Sequence, residues 1–382
     1  MCTVKSPAFR QDQSSARGGR ITCSSRLMRR QFGYSLMELM VALTIGLLIV
    51  AGLAGTYATS SAARSETEKS SRQNDNGRYA MQIISDDLKH AGYLGEFNPN
   101  QLPPLTAKPT DPCTTTLSQL QTDFRVPVQG YDNSAGALTC ISDVRPNTDV
   151  IVVRRVSTCV VGATDCDAAV AGLPYFQVSG CASKSELSSG DPKKFYGLET
   201  DKSRLTLHKK DCTDTNAGTV APLRQYRVHI YFVANNDKSS DGIPTLKRAE
   251  LSWNTSSTTP KLDFLIVPLV EGIENLQFEY GIDTATPSSG TPAFYTADPD
   301  SYGTCVAAVC AGYWQNTVAL KLYVLARNIL PSSGFSDGKT YKLGLKADGV
   351  TANTVTPTEL NYKRHLFESV VLLNNVAGRN LP

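Results

Sequence analysis

Glu38 is an acid in an apolar setting, flanked by Leu36, Met37, Leu39, Met40 and Val41. An ionisable side chain inside a membrane-length apolar run is costly, which marks it as functional. Its natural partner would be a cation created nearby. A cut after Gly33 would give Tyr34 a new ammonium group, with Glu38 four residues further along. A carboxylate at that spacing, on the same helix or on a neighbouring subunit, neutralises the amine in a low-dielectric medium. The competing reading is an interfacial acid whose side chain reaches the lipid headgroups. The chemistry read here is therefore proteolysis at Gly33–Tyr34 followed by charge pairing at Glu38.

Cysteines are the second set of chemically competent residues. Cys2 and Cys23 precede the apolar run, and Cys113, Cys140, Cys159, Cys166, Cys181, Cys212, Cys305 and Cys310 all follow it. An even number beyond a membrane segment suits disulfides in an oxidising compartment. No Cys-x-x-Cys occurs, which argues against a zinc ribbon or a thioredoxin-like redox pair. Sequence alone cannot select the pairing. Short separations favour Cys159–Cys166 and Cys305–Cys310, and more weakly Cys113–Cys140 and Cys181–Cys212; buried free thiols are the alternative.

Other chemistry is not signalled. His90, His208, His229 and His365 lack metal-ligand spacing, and His229 reads as a packing or surface residue of a strand. There is no Gly-x-Ser-x-Gly, phosphate loop or dinucleotide fingerprint. The Asp-bearing loops at 235–241 and 298–300 lack the calcium-loop ligand spacing and read as acidic turns. The expectation is a chain that is not an enzyme and holds no cofactor and no metal. Seven of the 38 basic residues and one of the 35 acidic residues lie in 1–33, so the remainder is slightly acidic. A folded body without a basic surplus argues against nucleic acid as a partner.

The elements that must position these residues follow from patterning. Residues 39–58 carry no charge; as a helix they span about 30 Å, the thickness of a bilayer core. Arg29 and Arg30 precede this run and the next base is Arg64, so the N-terminus is expected in the cytoplasm and the bulk beyond the membrane. Ala80, Met81, Ile84, Leu88 and Ala91 recur at helical spacing, with Asp86 and Asp87 read as lying on the polar side. One long helix over 34–91 is expected, with Gly92 as its stop and a weak point at Gly77 and the preceding Asn residues. Five prolines within 95–112 predict an irregular connection. Strands are predicted at 149–156, 224–233, 245–253, 261–267, 273–280, 317–326 and 365–373.

The string Gly33-Tyr34-Ser35-Leu36-Met37-Glu38 resembles the type III signal of type IV prepilins, usually Gly-Phe-Thr-Leu-Ile-Glu. Residues 76–93, 271–283, 314–328 and 362–374 further resemble the PilW family of minor pilins, whereas roughly 110–215 resembles no named family. This chain departs from the usual signal at Tyr34, Ser35 and Met37, each conservative in size or polarity. The resemblance implies cleavage after Gly33 by a prepilin peptidase, N-methylation of Tyr34 and use of Glu38 in subunit docking. Gly33 is where a side chain would obstruct the peptidase. Prepilin leaders are short, so Met28 is the expected start.

The implied fold is α+β: a long N-terminal helix, transmembrane in its first half and amphipathic in its second, packed on a β-rich, disulfide-containing pilin-like domain. The organisation reads as a leader at 1–33, a transmembrane helix at 34–60, its continuation at 61–92, and a periplasmic domain at 93–382 with a cysteine-rich insertion at about 110–215. The implied function is that of a minor pilin that primes pilus assembly near the tip. Implied partners are the prepilin peptidase, other minor pilins, the major pilin, the pilus assembly platform, a tip adhesin and membrane lipid. The implied location is the inner membrane, then the pilus at the cell surface. Two other readings share the same leader: a tip adhesin or binding module using the cysteine-rich segment, and a minor pseudopilin of type II secretion.

Overall fold

The computed structural model describes residues 33–133, 138–182, 185–212, 220–303 and 305–380. The leader with Met28, and also Cys2 and Cys23, lie outside the described residues. The chain divides into two compact units, residues 1–61 and 62–382. Helix α1 runs Leu36–His90 without a break. In the first unit its apolar side chains are exposed, Leu47 and Leu48 each by more than 70%, and the helix is long and apolar enough to cross a membrane. Thr44, Thr56 and Thr59 turn their hydroxyls back onto the carbonyls of Val41, Leu53 and Gly55. These three hydroxyls are thereby satisfied within the helix, which suits an apolar surrounding.

The second unit is built on two antiparallel sheets. The first holds β1 (Val128–Tyr131), β2 (Val150–Val156), β3 (Tyr175–Val178), β4 (Tyr196–Glu199), β5 (Leu223–Ala234), β6 (Thr245–Asn254) and β7 (Lys261–Glu271). β5 is its spine: residues 226–231 pair with β2, 229–234 with β6 and 223–225 with β3. The cysteine-bearing stretch supplies β1 to β4 to this same sheet. The second sheet orders β13 (Arg364–Leu372), β10 (Thr317–Arg327), β8 (Ile273–Ile282) and β9 (Phe294–Thr296). A hairpin of β11 (Tyr341–Leu345) and β12 (Ala352–Val355) meets β8 through Leu345 and Asn353.

Alternation in the strands decides where the cores lie. Ile151, Val153, Tyr231 and Val233 from the first sheet meet Leu276, Phe278, Leu320 and Leu322 from the second, and Ala80, Ile84 and Leu88 of α1 join that core. The opposite face of β5, with Tyr226, Val228, Ile230 and Phe232, packs on a second core that includes Leu120 and Phe124. α2 (Leu117–Asp123) carries Leu120 into that core. There Phe97, Phe124, Phe176 and Tyr196 cluster with ring centroids 4.6 to 6.3 Å apart. Each fully buried Leu, Ile or Phe contributes on the order of 1.5–3 kcal/mol. Helix α3 (Ala307–Gln315) presents Trp314 edge-on to Tyr280 at 4.9 Å, and α4 (Asn374–Ala377) follows β13.

Four disulfides join Cys113–Cys140, Cys159–Cys166, Cys181–Cys212 and Cys305–Cys310. The expected weak point in α1 is absent. Gly77 is buried, and a Cβ there would lie 2.0 Å from the Phe367 ring. The glycine lets β13 approach the helix rather than loosening it. Gly92 ends α1 region with φ of +69°, as a helix stop does.

Candidate functional site

Gly33, Tyr34 and Ser35 precede the first helical turn. A reciprocal cap sets that boundary. The Glu38 N–H donates to Ser35 Oγ at 3.4 Å, and the Ser35 N–H donates to the Glu38 carboxylate at 3.2 Å. Leu39 N–H then makes a helical bond to Ser35 O at 3.1 Å. This is a Ser-x-x-Glu capping box, which satisfies two donors that a helix start leaves unpaired. The carboxylate also lies at the positive end of the helix dipole. The sequence places Ser35 in the signal string, and its spacing from Glu38 is the mark of the capping role that the structure adds.

Upstream of the cap the chain is open. Tyr34 is 88% exposed, and a Cβ at Gly33 would meet no atom within 4 Å. The bond between them is accessible and outside the helix, as a peptidase substrate must be. Glu38 faces back along the chain toward Ser35 N–H, one residue from Tyr34.

The second unit shows how the rest of α1 is held on its domain. Glu66 accepts from Lys363 and Ser332 at 2.7 Å and from Lys69 at 2.8 Å. Those contacts hold its pKa down at about 2. Gln73, buried, donates to Ala326 O at 2.8 Å and Lys363 O at 3.0 Å. Asn76 donates to Glu271 O at 2.9 Å.

Asp87 is a further buried anchor. The sequence reading placed it on the polar side with Asp86; it is instead buried, 6% exposed. Its carboxylate accepts from Arg155 Nε at 2.6 Å and from Tyr231 OH at 2.8 Å. His229 Nδ1 lies 2.6 Å from the same carboxylate and is therefore the protonated ring nitrogen. Burial opposes charge on Asp87, but His229 and Arg155 outweigh it and hold the carboxyl well below the usual range. The partners are 68, 142 and 144 residues away. A polar residue beside another polar residue gave no signal of this role.

The family described as type IV pilus-assembly protein W matches residues 230–375, and the prokaryotic N-terminal methylation motif matches residues 28–54. The chain is a type IV pilin-like protein with a PilW domain. The methylation motif of this pilin-like protein contains Gly33, Tyr34, Ser35 and Glu38, and its PilW domain contains β8, β10 and β13. No curated protein matches the chain. Among solved structures, the type IV-like pilin TTHA1219 from Thermus thermophilus is 12% identical, with a TM-score of 0.34, over 80% of this chain and 97% of that one.

Proposed function

We propose that the chain is a minor pilin that helps to prime assembly of the type IV pilus and sits near its tip. A prepilin peptidase cuts after Gly33, Tyr34 is N-methylated, and Glu38 docks the mature subunit against its neighbours. The domain faces the periplasm with the N-terminus in the cytoplasm, and the partners are other minor pilins, the major pilin and the assembly platform. The observation that carries this reading is the arrangement at residues 33–38: an exposed bond, a helix starting two residues beyond it, and a carboxylate turned back toward it. Docking then exchanges the Ser35 N–H on Glu38 for the stronger ammonium of a neighbouring Tyr34, a charge-assisted bond.

N-terminal sequencing and mass spectrometry of the mature protein test the cut. A chain beginning with methylated Tyr34 is expected, and any other start overturns the reading. Glu38→Ala is expected to accumulate in the membrane yet give few or no pili, and normal piliation in that strain removes the docking role.

A further inference from the structure

The second core leaves an open cleft of about 510 Å³ beside α2 and β4. Arg125, two residues beyond the end of α2, lines it, and so does Lys193. Arg155, Arg248 and Arg364 each face a carboxylate, on Asp87, Glu250 and Glu274. Arg125 does not. Its Nη2 donates to the Pro103 carbonyl, and its Nε is buried with no hydrogen-bond partner. No acid pairs with it among the described residues, and burial pulls its pKa down. Lys193 is exposed and its ammonium makes no ion pair among the described residues. A half-buried cation without a counter-charge is costly to keep for folding alone.

We propose that this cleft binds a carboxylate-bearing saccharide, with Arg125 and Lys193 receiving the acid group. Nε is closed off, so the terminal guanidinium nitrogens are the donors offered to a carboxylate, and Lys193 adds a mobile point charge. The volume lies in the range of small-ligand sites and far exceeds one carboxylate. The remaining wall suits sugar hydroxyls and ring faces. Gln121 bonds Leu198 O at 2.8 Å and reaches Glu199 at 3.4 Å, which leaves acceptor capacity on Glu199. Thr122 supplies a hydroxyl, and Tyr196 with Pro103 and Pro104 supplies flat apolar surface. The site belongs to the disulfide-braced part of the domain and is independent of where the chain is cut.

The test titrates the full processed protein in detergent with glucuronate, glucose and a hexaglutamate peptide, read by calorimetry and saturation-transfer NMR. Saturable, salt-weakened glucuronate binding is expected, with none for glucose. Arg125→Gln should weaken it by about tenfold or more, and the exposed Lys193→Gln should weaken it several-fold. Arg125→Gln gives up the bond to the Pro103 carbonyl, so its melting temperature is read alongside the titration; if it unfolds, Lys193→Gln decides the question in a folded protein. Glucuronate binding unchanged in the folded variants overturns the proposal. So does the absence of glucuronate binding, including the case in which only hexaglutamate binds and the occupant is an acidic peptide.

Discussion

Asp87 and Asp86 are adjacent, identical in type and opposite in consequence. Replacing Asp87 by Ala removes the shared acceptor of Arg155, His229 and Tyr231 and strands a guanidinium that is only 16% exposed. Breaking a buried pair in this way costs about 3–5 kcal/mol. At about 1.4 kcal/mol per decade, a 4 kcal/mol loss raises the unfolded fraction roughly a thousandfold. Asp86 pairs with Lys89 at 3.1 Å with both side chains more than half exposed, so Asp86→Ala should change stability by less than about 0.5 kcal/mol. Urea unfolding of the purified protein, followed by the fluorescence of Trp253 and Trp314, measures both. The Asp87 carboxyl is depressed below its ordinary 3.8, so the stability it contributes is present above that pH and is lost as the pH falls toward the folded value. The gap between the parent and Asp87→Asn should therefore shrink as the pH falls below about 4. Equal effects of the Asp86 and Asp87 substitutions, or a gap that widens in acid, would refute the reasoning.

Gly77→Ala should destabilise by about 1–3 kcal/mol, because its Cβ would lie 2.0 Å from Phe367. An exposed helical glycine would gain up to about 1 kcal/mol from the same change; a double-mutant cycle with Phe367→Ala should recover most of the loss. Burial raises the pKa of Asp123 from 3.8 to about 6, Arg154 opposes this and Asp111 adds to it. A raised carboxyl loses stability as pH climbs between those values, so Asp123→Asn should stabilise at pH 7 by about 2–3 kcal/mol and have no effect near pH 4, measured by thermal melts. The Cys181–Cys212 bridge spans 31 residues and Cys305–Cys310 spans 5, so Cys→Ser replacement of the first pair should cost about 4 kcal/mol and of the second about 2 kcal/mol by loop entropy.

Much of the fold is legible in the sequence. The helix over 34–91, its stop at Gly92 and the long strands from 224 to 280 follow from apolar period and glycine chemistry. What escaped were short or featureless elements. β3 and β4 have four residues each, too few for a period to emerge. α3, Ala307–Gln315, has no polar face, so nothing marks it as helical. β8 reads as a strand, but burial of all ten residues was not legible, because Gln277 and Glu279 are covered by Asn353 and Leu345 from the β11–β12 hairpin.

The exposed Gly33–Tyr34 bond and the Ser35–Glu38 cap are properties of six consecutive residues. Their physics is local: the cost of an acid in apolar surroundings and the unpaired donors of a helix start need no distant partner, so the sequence by itself determined them. The burial of Asp87, the closeness of Gly77 to Phe367 and the unpaired Arg125 depend on which strands lie alongside, and only the tertiary structure decided them. A side chain's charge is written in the chain; its neighbours across 68 to 297 residues exist only once the sheets have paired.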